Sequence, residues 1–201
     1  MRYIPLNVDD INCYVFVDAS FANNKDLSSQ LGFIVVLGTE EDNDNDIASF
    51  TLTGNIVHWV SRKCKRVTRS VLASEIYGMS EGVDIGFSIA GTINQILQQL
   101  NLPPVPMVVC TDSKSLYDAV TRLGTTVEKR LMIDIMQFRE MYERREISEI
   151  RWIAGSSNPA DAMTKTTANS SLTTLINDNE VIIDVQGWVK RRKKEKKENS
   201  T

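Results

Sequence analysis

Apolar and polar positions alternate along this chain in two different rhythms. Residues 12–18 (NCYVFVD) form an apolar, β-branched and aromatic run that ends in an acid, the pattern of a buried strand. Residues 31–38 (LGFIVVLG) predict a second strand bounded by glycine, and residues 39–46 (TEEDNDND) an acidic loop. Residues 47–60 alternate around Thr53-Gly54-Asn55, which predicts strands on either side of a turn. From Val71 to Leu100 the period lengthens. Leu72, Ile76, Met79, Val83, Phe87, Ala90, Ile93, Leu97 and Leu100 recur every three or four residues behind Ser70, a candidate N-cap. Glycines within this stretch weigh against one unbroken helix, and Pro103-Pro104 ends it. Residues 105–111 (VPMVVCT) predict another buried strand, and Asp112-Ser113 opens a short helix that ends near Gly124. Residues 126–145 are helical in pattern and 147–154 (ISEIRWIA) strand-like. A Gly/Ser/Asn/Pro loop over 155–168 feeds a helix, and 170–189 hold a short helix and a strand (VIIDV).

The order is β-β-β-α-β-α-(α)-β-α. Consecutive early strands predict antiparallel hairpins, and the later strand–helix–strand unit predicts a parallel pair with a right-handed crossover. The expected class is α/β, a mixed sheet covered by helices.

Composition narrows the chemistry. Apolar residues make up 42% of the 201 and charged residues 24%, enough for a sizeable core. The longest apolar stretch, Leu31 to Gly38, falls far short of the roughly 18 residues of a membrane span, so no membrane partner is expected. The N-terminus lacks the apolar core of a signal peptide, and Cys13, Cys64 and Cys110 are scattered. Reduced thiols in an intracellular protein are the expectation, with neither a disulfide framework nor a zinc site. His58 is the single histidine, which argues against His-based nucleophilic triads and His-rich metal sites. The net charge of −3 is uneven: residues 189–201 carry seven Lys/Arg and two Glu, leaving 16 basic and 24 acidic groups on the other 188 residues. An acidic body with a basic tail is expected, the tail disordered by self-repulsion.

Four acids stand at special places. Asp18 ends the first strand, Glu75 borders the apolar stripe of the long helix, and Asp112 follows a buried strand. Asp161 follows Asn158-Pro159-Ala160 at a helix start. Singly, each is explained as a turn former, a helix-edge carboxylate or a cap. Together they describe something else, because ligand sites in open α/β sheets lie outside the carboxyl ends of strands. Converging carboxylates repel one another unless a hard divalent cation with oxygen ligands sits among them, and Mg²⁺ is the usual partner of phosphate chemistry. Two-metal phosphodiester hydrolysis is the reaction this combination points to.

Particular strings carry a family resemblance. Asn158-Pro159-Ala160-Asp161-Ala162-Met163-Thr164-Lys165 resembles the N-x-A-D-x-x-T-K signature of copia-type LTR retrotransposon Pol polyproteins. Residues 14–22 (YVFVDASFA) resemble their first strand, Trp59 with Ser61-Arg62-Lys63-Cys64-Lys65 their W-x-S-K-K-Q segment, and Thr111-Asp112-Ser113 cellular ribonuclease H. The long helix reads Ala73-Ser74-Glu75-Ile76 where the family shows Glu-Ala-Glu-Tyr. The resemblance implies a ribonuclease H-like fold with a mixed five-stranded sheet, three antiparallel strands then two parallel. It implies a ribonuclease H-like domain over 1–168, a C-terminal extension over 169–189 and a basic tail over 190–201. The implied activity is hydrolysis of the RNA strand of RNA–DNA hybrids during reverse transcription. Two Mg²⁺ ions, or Mn²⁺ in their place, would be held by Asp18, Glu75, Asp112 and Asp161. Asp18 would bridge both ions, Asp161 would serve the ion that activates water, and Glu75 and Asp112 the ion at the leaving oxygen. Trp59, Arg62, Lys63, Lys65, Arg66 and Arg69 would contact the hybrid. The reverse transcriptase part of the same polyprotein is an implied partner, and a cytoplasmic particle or the nucleus the implied location. Two other readings stand beside it: a binding remnant of a decayed element, and an integrase-like nuclease.

Overall fold

Strand β1 (Asn12–Ser20) is buried along almost its whole length, because both of its faces meet a core. Cys13, Val15 and Val17 point to one apolar cluster, Tyr14 and Phe16 to a second. The structure, a computed structural model, describes residues 1–43, 48–122, 124, 126 and 128–188. β1 pairs antiparallel with β2 (Gln30–Asp42), which pairs antiparallel with β3 (Ser49–Lys63). On its other side β1 runs parallel to β4 (Met107–Thr111), and β4 runs parallel to β5 (Glu149–Ile153). Three antiparallel strands followed by two parallel ones, with helices against the sheet, make the expected ribonuclease H-like arrangement. A sixth strand departs from the expected five. β6 (Glu180–Trp188) pairs with both β3 and β5 and closes the sheet into a barrel. Residues 169–188 therefore include helix α4 (Ser171–Asp178) and the strand that seals the sheet. The basic tail, 190–201, lies outside the described residues.

The barrel separates the two cores. Tyr14, Phe16, Ile34, Phe50, Leu52 and Ile183 fill one side together with Leu175 of α4. The other side packs under α1 (Val71–Gln99), α2 (Lys114–Thr121) and α3 (Met132–Glu143). α1 is one unbroken helix of 29 residues, with the Ser70 hydroxyl accepting from the Ala73 N–H at 3.1 Å. Two of its glycines serve close packing against β1. A Cβ on Gly82 would lie 2.8 Å from Val17 Cγ1, and one on Gly86 2.5 Å from Val15 Cγ2. Phe87 and Leu100, which the periodicity assigns to the apolar stripe, are 47% and 61% exposed.

Two expected boundaries differ. No turn forms at Thr53-Gly54-Asn55; β3 runs through it for 15 residues. Gly54 stands opposite Gly38, and a Cβ there would fall 2.6 Å from the Leu37 carbonyl oxygen. Backbone proximity, not reversal, requires that glycine. The acidic stretch begins as strand, since β2 continues to Asp42, with Glu40 tied to buried Arg151 of β5 at 2.6 Å. No helix among the described residues is long and apolar enough to cross a membrane.

Candidate active site

The parallel pairing of β1 and β4 sets the site. Val17 stands beside Thr111 as the last β1–β4 pair, so Asp18 and Asp112 lie at the same carboxyl edge. Asp112 follows β4, whereas Asp18 does not end its strand as expected but stays paired with Gly32 of β2. α1 lays its first turns across that edge and brings Glu75 from the helical layer. Gly78, one turn further on, permits the approach: a Cβ there would already be 3.3 Å from the Asp18 carbonyl oxygen. One carboxylate oxygen each from Asp18, Glu75 and Asp112 lies within 4.8 Å of the others.

Asp112 is free to face inward because it does not cap α2. Ser113 does, its hydroxyl accepting from the Leu116 N–H at 3.3 Å. The Trp152 indole N–H donates to the Asp112 carbonyl at 3.2 Å, and Gly155 leaves room beside the carboxylate. Asp161 is likewise not a cap. Asn158 caps the 3₁₀ turn Pro159–Met163 and also donates to the Val17 carbonyl at 3.0 Å, fastening that turn to β1. Asp161 accepts from the Asn169 N–H at 3.0 Å and is ion-paired with Lys165. It is linked to Asp18 through Lys165 and is not one of the close group. Lys165 Nζ also lies 3.9 Å from Asp18 Oδ2, and the Thr164 hydroxyl donates to that same oxygen.

Electrostatics follow from this crowding. Burial, then the charges of Asp18 and Asp112, pushes Glu75 well above the ordinary carboxylate range. Burial and Asp18 push Asp112 up to about 6. Asp18 is also raised by burial, although Thr164 and Lys165 pull the other way. Burial works against the Lys165 ammonium, but the hydrogen bond to Asp161 and the fields of Asp18, Asp161 and Asp112 more than offset it.

Whether these residues suit a metal is decided by an orphaned atom. Glu75 Oε2 is buried and has no hydrogen-bond partner among the described residues. A buried carboxylate oxygen without a donor costs free energy that a cation would recover. Three hard oxygen donors at this spacing fit a divalent cation of the Mg²⁺ or Mn²⁺ type.

The expected nucleic-acid residues lie on the end of β3 and the connection to α1. Ser61 donates to the Met163 carbonyl and stands opposite Gly32, which in turn stands opposite Asp18. The segment thus borders the acids. Trp59 is 54% exposed. Arg62 pairs with Glu81 at 2.5 Å, Lys63 pairs with Asp26 at 2.9 Å, and Arg66 lies over the Tyr77 ring. Lys65 and Arg69 are exposed. Asn158, Thr164, Lys165 and Asn169 had no role assigned from sequence. The first three lie inside the Asp161 string, which was the available signal.

Comparison with known proteins places the chain. No family model matches it. It is 26% identical over 155 residues to the transposon Ty1-ER2 Gag-Pol polyprotein of Saccharomyces cerevisiae, covering 75% of this chain and 8% of the polyprotein. The Ty1-H Gag-Pol polyprotein of the same yeast is 26% identical over 152 residues. The chain therefore spans less than a tenth of the length of these relatives. Among solved structures, the LC11 RNase H1 isolated from compost aligns over 78% of this chain and 93% of that one, with 14% identity and a TM-score of 0.49. The RNase H1 of the archaeon Halobacterium salinarum aligns over 81% and 98%, with 15% identity and a TM-score of 0.48. The chain has a ribonuclease H-like fold and is similar, over three quarters of its length, to a segment of retrotransposon Gag-Pol polyproteins.

Proposed function

We propose that this protein is a metal-dependent endonuclease that hydrolyses the RNA strand of RNA–DNA hybrids in the reverse transcription of a copia-type retrotransposon. The observation that carries this reading is the close group of Asp18, Glu75 and Asp112 at one sheet edge, with a buried, donorless Glu75 oxygen inside it. Asp18, Glu75 and Asp112 would hold a Mg²⁺ or Mn²⁺ ion, and Asp161 beside Asp18 would contribute to a second. Bound there, such ions supply an activated water and neutralise charge at the scissile phosphate. The chain's own residues do the positioning. Asn158 and the Thr164 hydroxyl fix the orientation of the Asp18 edge, and Trp152 and Gly155 fix that of Asp112. By the family resemblance, Glu75 would also sit near a ribose 2′-hydroxyl, the group that distinguishes RNA from DNA.

The test is cleavage of end-labelled RNA–DNA hybrid, duplex DNA and duplex RNA in parallel, with Mg²⁺, with Mn²⁺ and with EDTA. Cutting of the hybrid's RNA strand alone, leaving 5′-phosphates and stopped by EDTA, is expected. Equal cutting of duplex DNA would favour an integrase-like nuclease. Metal-independent binding without cutting would favour a non-catalytic remnant.

A further inference from the structure

The four acids divide into two unequal halves. Glu75, Asp112 and one edge of Asp18 form the close group, and Glu75 Oε2 has no donor among the described residues. Asp18 and Asp161 share a cation of the chain's own. Lys165 Nζ is ion-paired with Asp161 Oδ1 and stands 3.9 Å from Asp18 Oδ2. Lys165 follows Asp161 by four residues across the 3₁₀ turn, so the same short segment supplies both acid and counter-charge. Asp161 is otherwise well satisfied, with the Asn169 N–H on its other oxygen. The lysine side chain is 42% exposed, whereas those of Asp18 and Asp161 are 3% and 8% exposed. Its ammonium can swing out to water on its four-carbon stem while the two acids cannot move away.

We propose that Lys165 is an internal counter-cation that occupies the Asp18–Asp161 side of the site and makes divalent-ion loading sequential. This rests on the metal reading above. The first ion enters the Asp18–Glu75–Asp112 group, where Lys165 opposes it at longer range but need not leave Asp161. A second ion on the Asp161 side requires the ammonium to withdraw, so its affinity is set by competition with the lysine. Lys165 is therefore a positioning and selectivity residue, holding the second position closed until something else, such as a substrate phosphate, favours the exchange. A tethered ammonium suits this task better than a guanidinium, because it is a compact point charge without a planar fork to hold two carboxylates at once.

The experiment is Mn²⁺ titration of the full chain, without nucleic acid, followed by electron paramagnetic resonance and calorimetry. Wild type is expected to show one tighter and one markedly weaker event. Lys165→Met keeps the stem and removes the charge, and should tighten the second event by about tenfold or more and the first by a clearly smaller factor. Lys165→Arg keeps the charge and should leave the second event weak. Asp161→Asn should abolish the second event and preserve the first. Thermal melting in EDTA confirms that each variant is folded. A first event present in all proteins with a second event unaltered by Lys165→Met overturns the counter-cation role and leaves the metal reading intact. Absence of both events from folded wild-type protein overturns the metal reading and the proposal with it.

Discussion

At the residue scale, the site gives up stability for chemistry. Asp18 and Glu75 are buried within reach of one another and of Asp112, and like charges so placed oppose folding. Asp18→Asn should abolish hybrid cleavage while raising metal-free stability by about 1–3 kcal/mol, since one of the crowded charges is removed and the amide oxygen can still accept from Thr164. Urea denaturation in EDTA checks the second half; a clear loss of stability would mean that Asp18 is structural. The same crowding gives the metal-free protein a pH signature. Burial, with neighbouring charges, raises the folded-state values of Glu75, Asp112 and Asp18 above those of the unfolded chain. Between the ordinary carboxylate range and the raised values the native state binds more protons than the unfolded state, so stability falls as pH rises through that window. Asp26, lowered chiefly by Lys63, and Glu128, lowered chiefly by Ser70 and Arg130, act in the opposite sense, but only below the ordinary range. The melting temperature in EDTA should therefore be higher near about pH 5 than near about pH 7, and Mg²⁺ should flatten the difference. A melting temperature that rises over that interval would refute the charge crowding.

At the element scale, glycine has opposite consequences along one helix. Gly86 of α1 faces Val15 of β1, and a methyl group there collides with a side chain that cannot turn away. Gly91, one turn and a residue on, has open space where its Cβ would stand. Gly91→Ala should stabilise by about 0.5–1 kcal/mol through helix propensity alone. Gly86→Ala gains the same term but should lose about 1–3 kcal/mol to overpacking, for a net loss. Chemical denaturation of the two variants decides the matter, and equal effects would deny the close α1–β1 contact. These glycines also mark where the sequence was legible and where it was not. The apolar run Cys13–Val17 and the three-to-four spacing in α1 disclose which stretches are buried and in what element. They do not disclose how near the next element lies. Gly54 reads as a turn and α1 as a broken helix for one reason: a glycine that admits a neighbouring backbone or side chain looks, in one dimension, like a glycine that bends the chain.

At the scale of the whole molecule, closure was the least legible feature. The string VIIDV announces a strand, but nothing local says that it joins β3 to β5. A buried charge and its surroundings lie at that junction, beside the burial of Val181 and Ile183 in the barrel core. Arg151 of β5 is 2% exposed, ion-paired with Glu40 of β2 and Glu149, and its guanidinium lies 4.4 Å from the Trp188 ring centroid on β6. Partners so distant in sequence leave no periodic trace. The four acids were easier, because each lies at or near the end of an element and the Asp161 string is long; Lys165 belongs to that string, but its place beside Asp18 shows only in space. The proposed cationic rim is a further whole-molecule property, since an acidic body that binds a hybrid would hold that polyanion at a local positive edge. Arg62 and Lys63 already have partners in Glu81 and Asp26, yet such half-exposed pairs contribute only about 0–1 kcal/mol and yield readily to phosphate. Replacing Arg62, Lys63 and Lys65 together with Ala should weaken hybrid binding while leaving single-turnover cleavage at saturation nearly unchanged, because no acid of the site is touched. Three phosphate contacts on a duplex would add about −2.7 to the slope of log affinity against log salt. The loss should be smaller than that, since freeing Arg62 and Lys63 exposes Glu81 and Asp26 to the same backbone in both proteins. Fluorescence anisotropy of labelled hybrid across a salt series measures the slope directly. Identical slopes for the two proteins would reduce the β3–α1 connection to a solvated turn and require the hybrid to be held elsewhere.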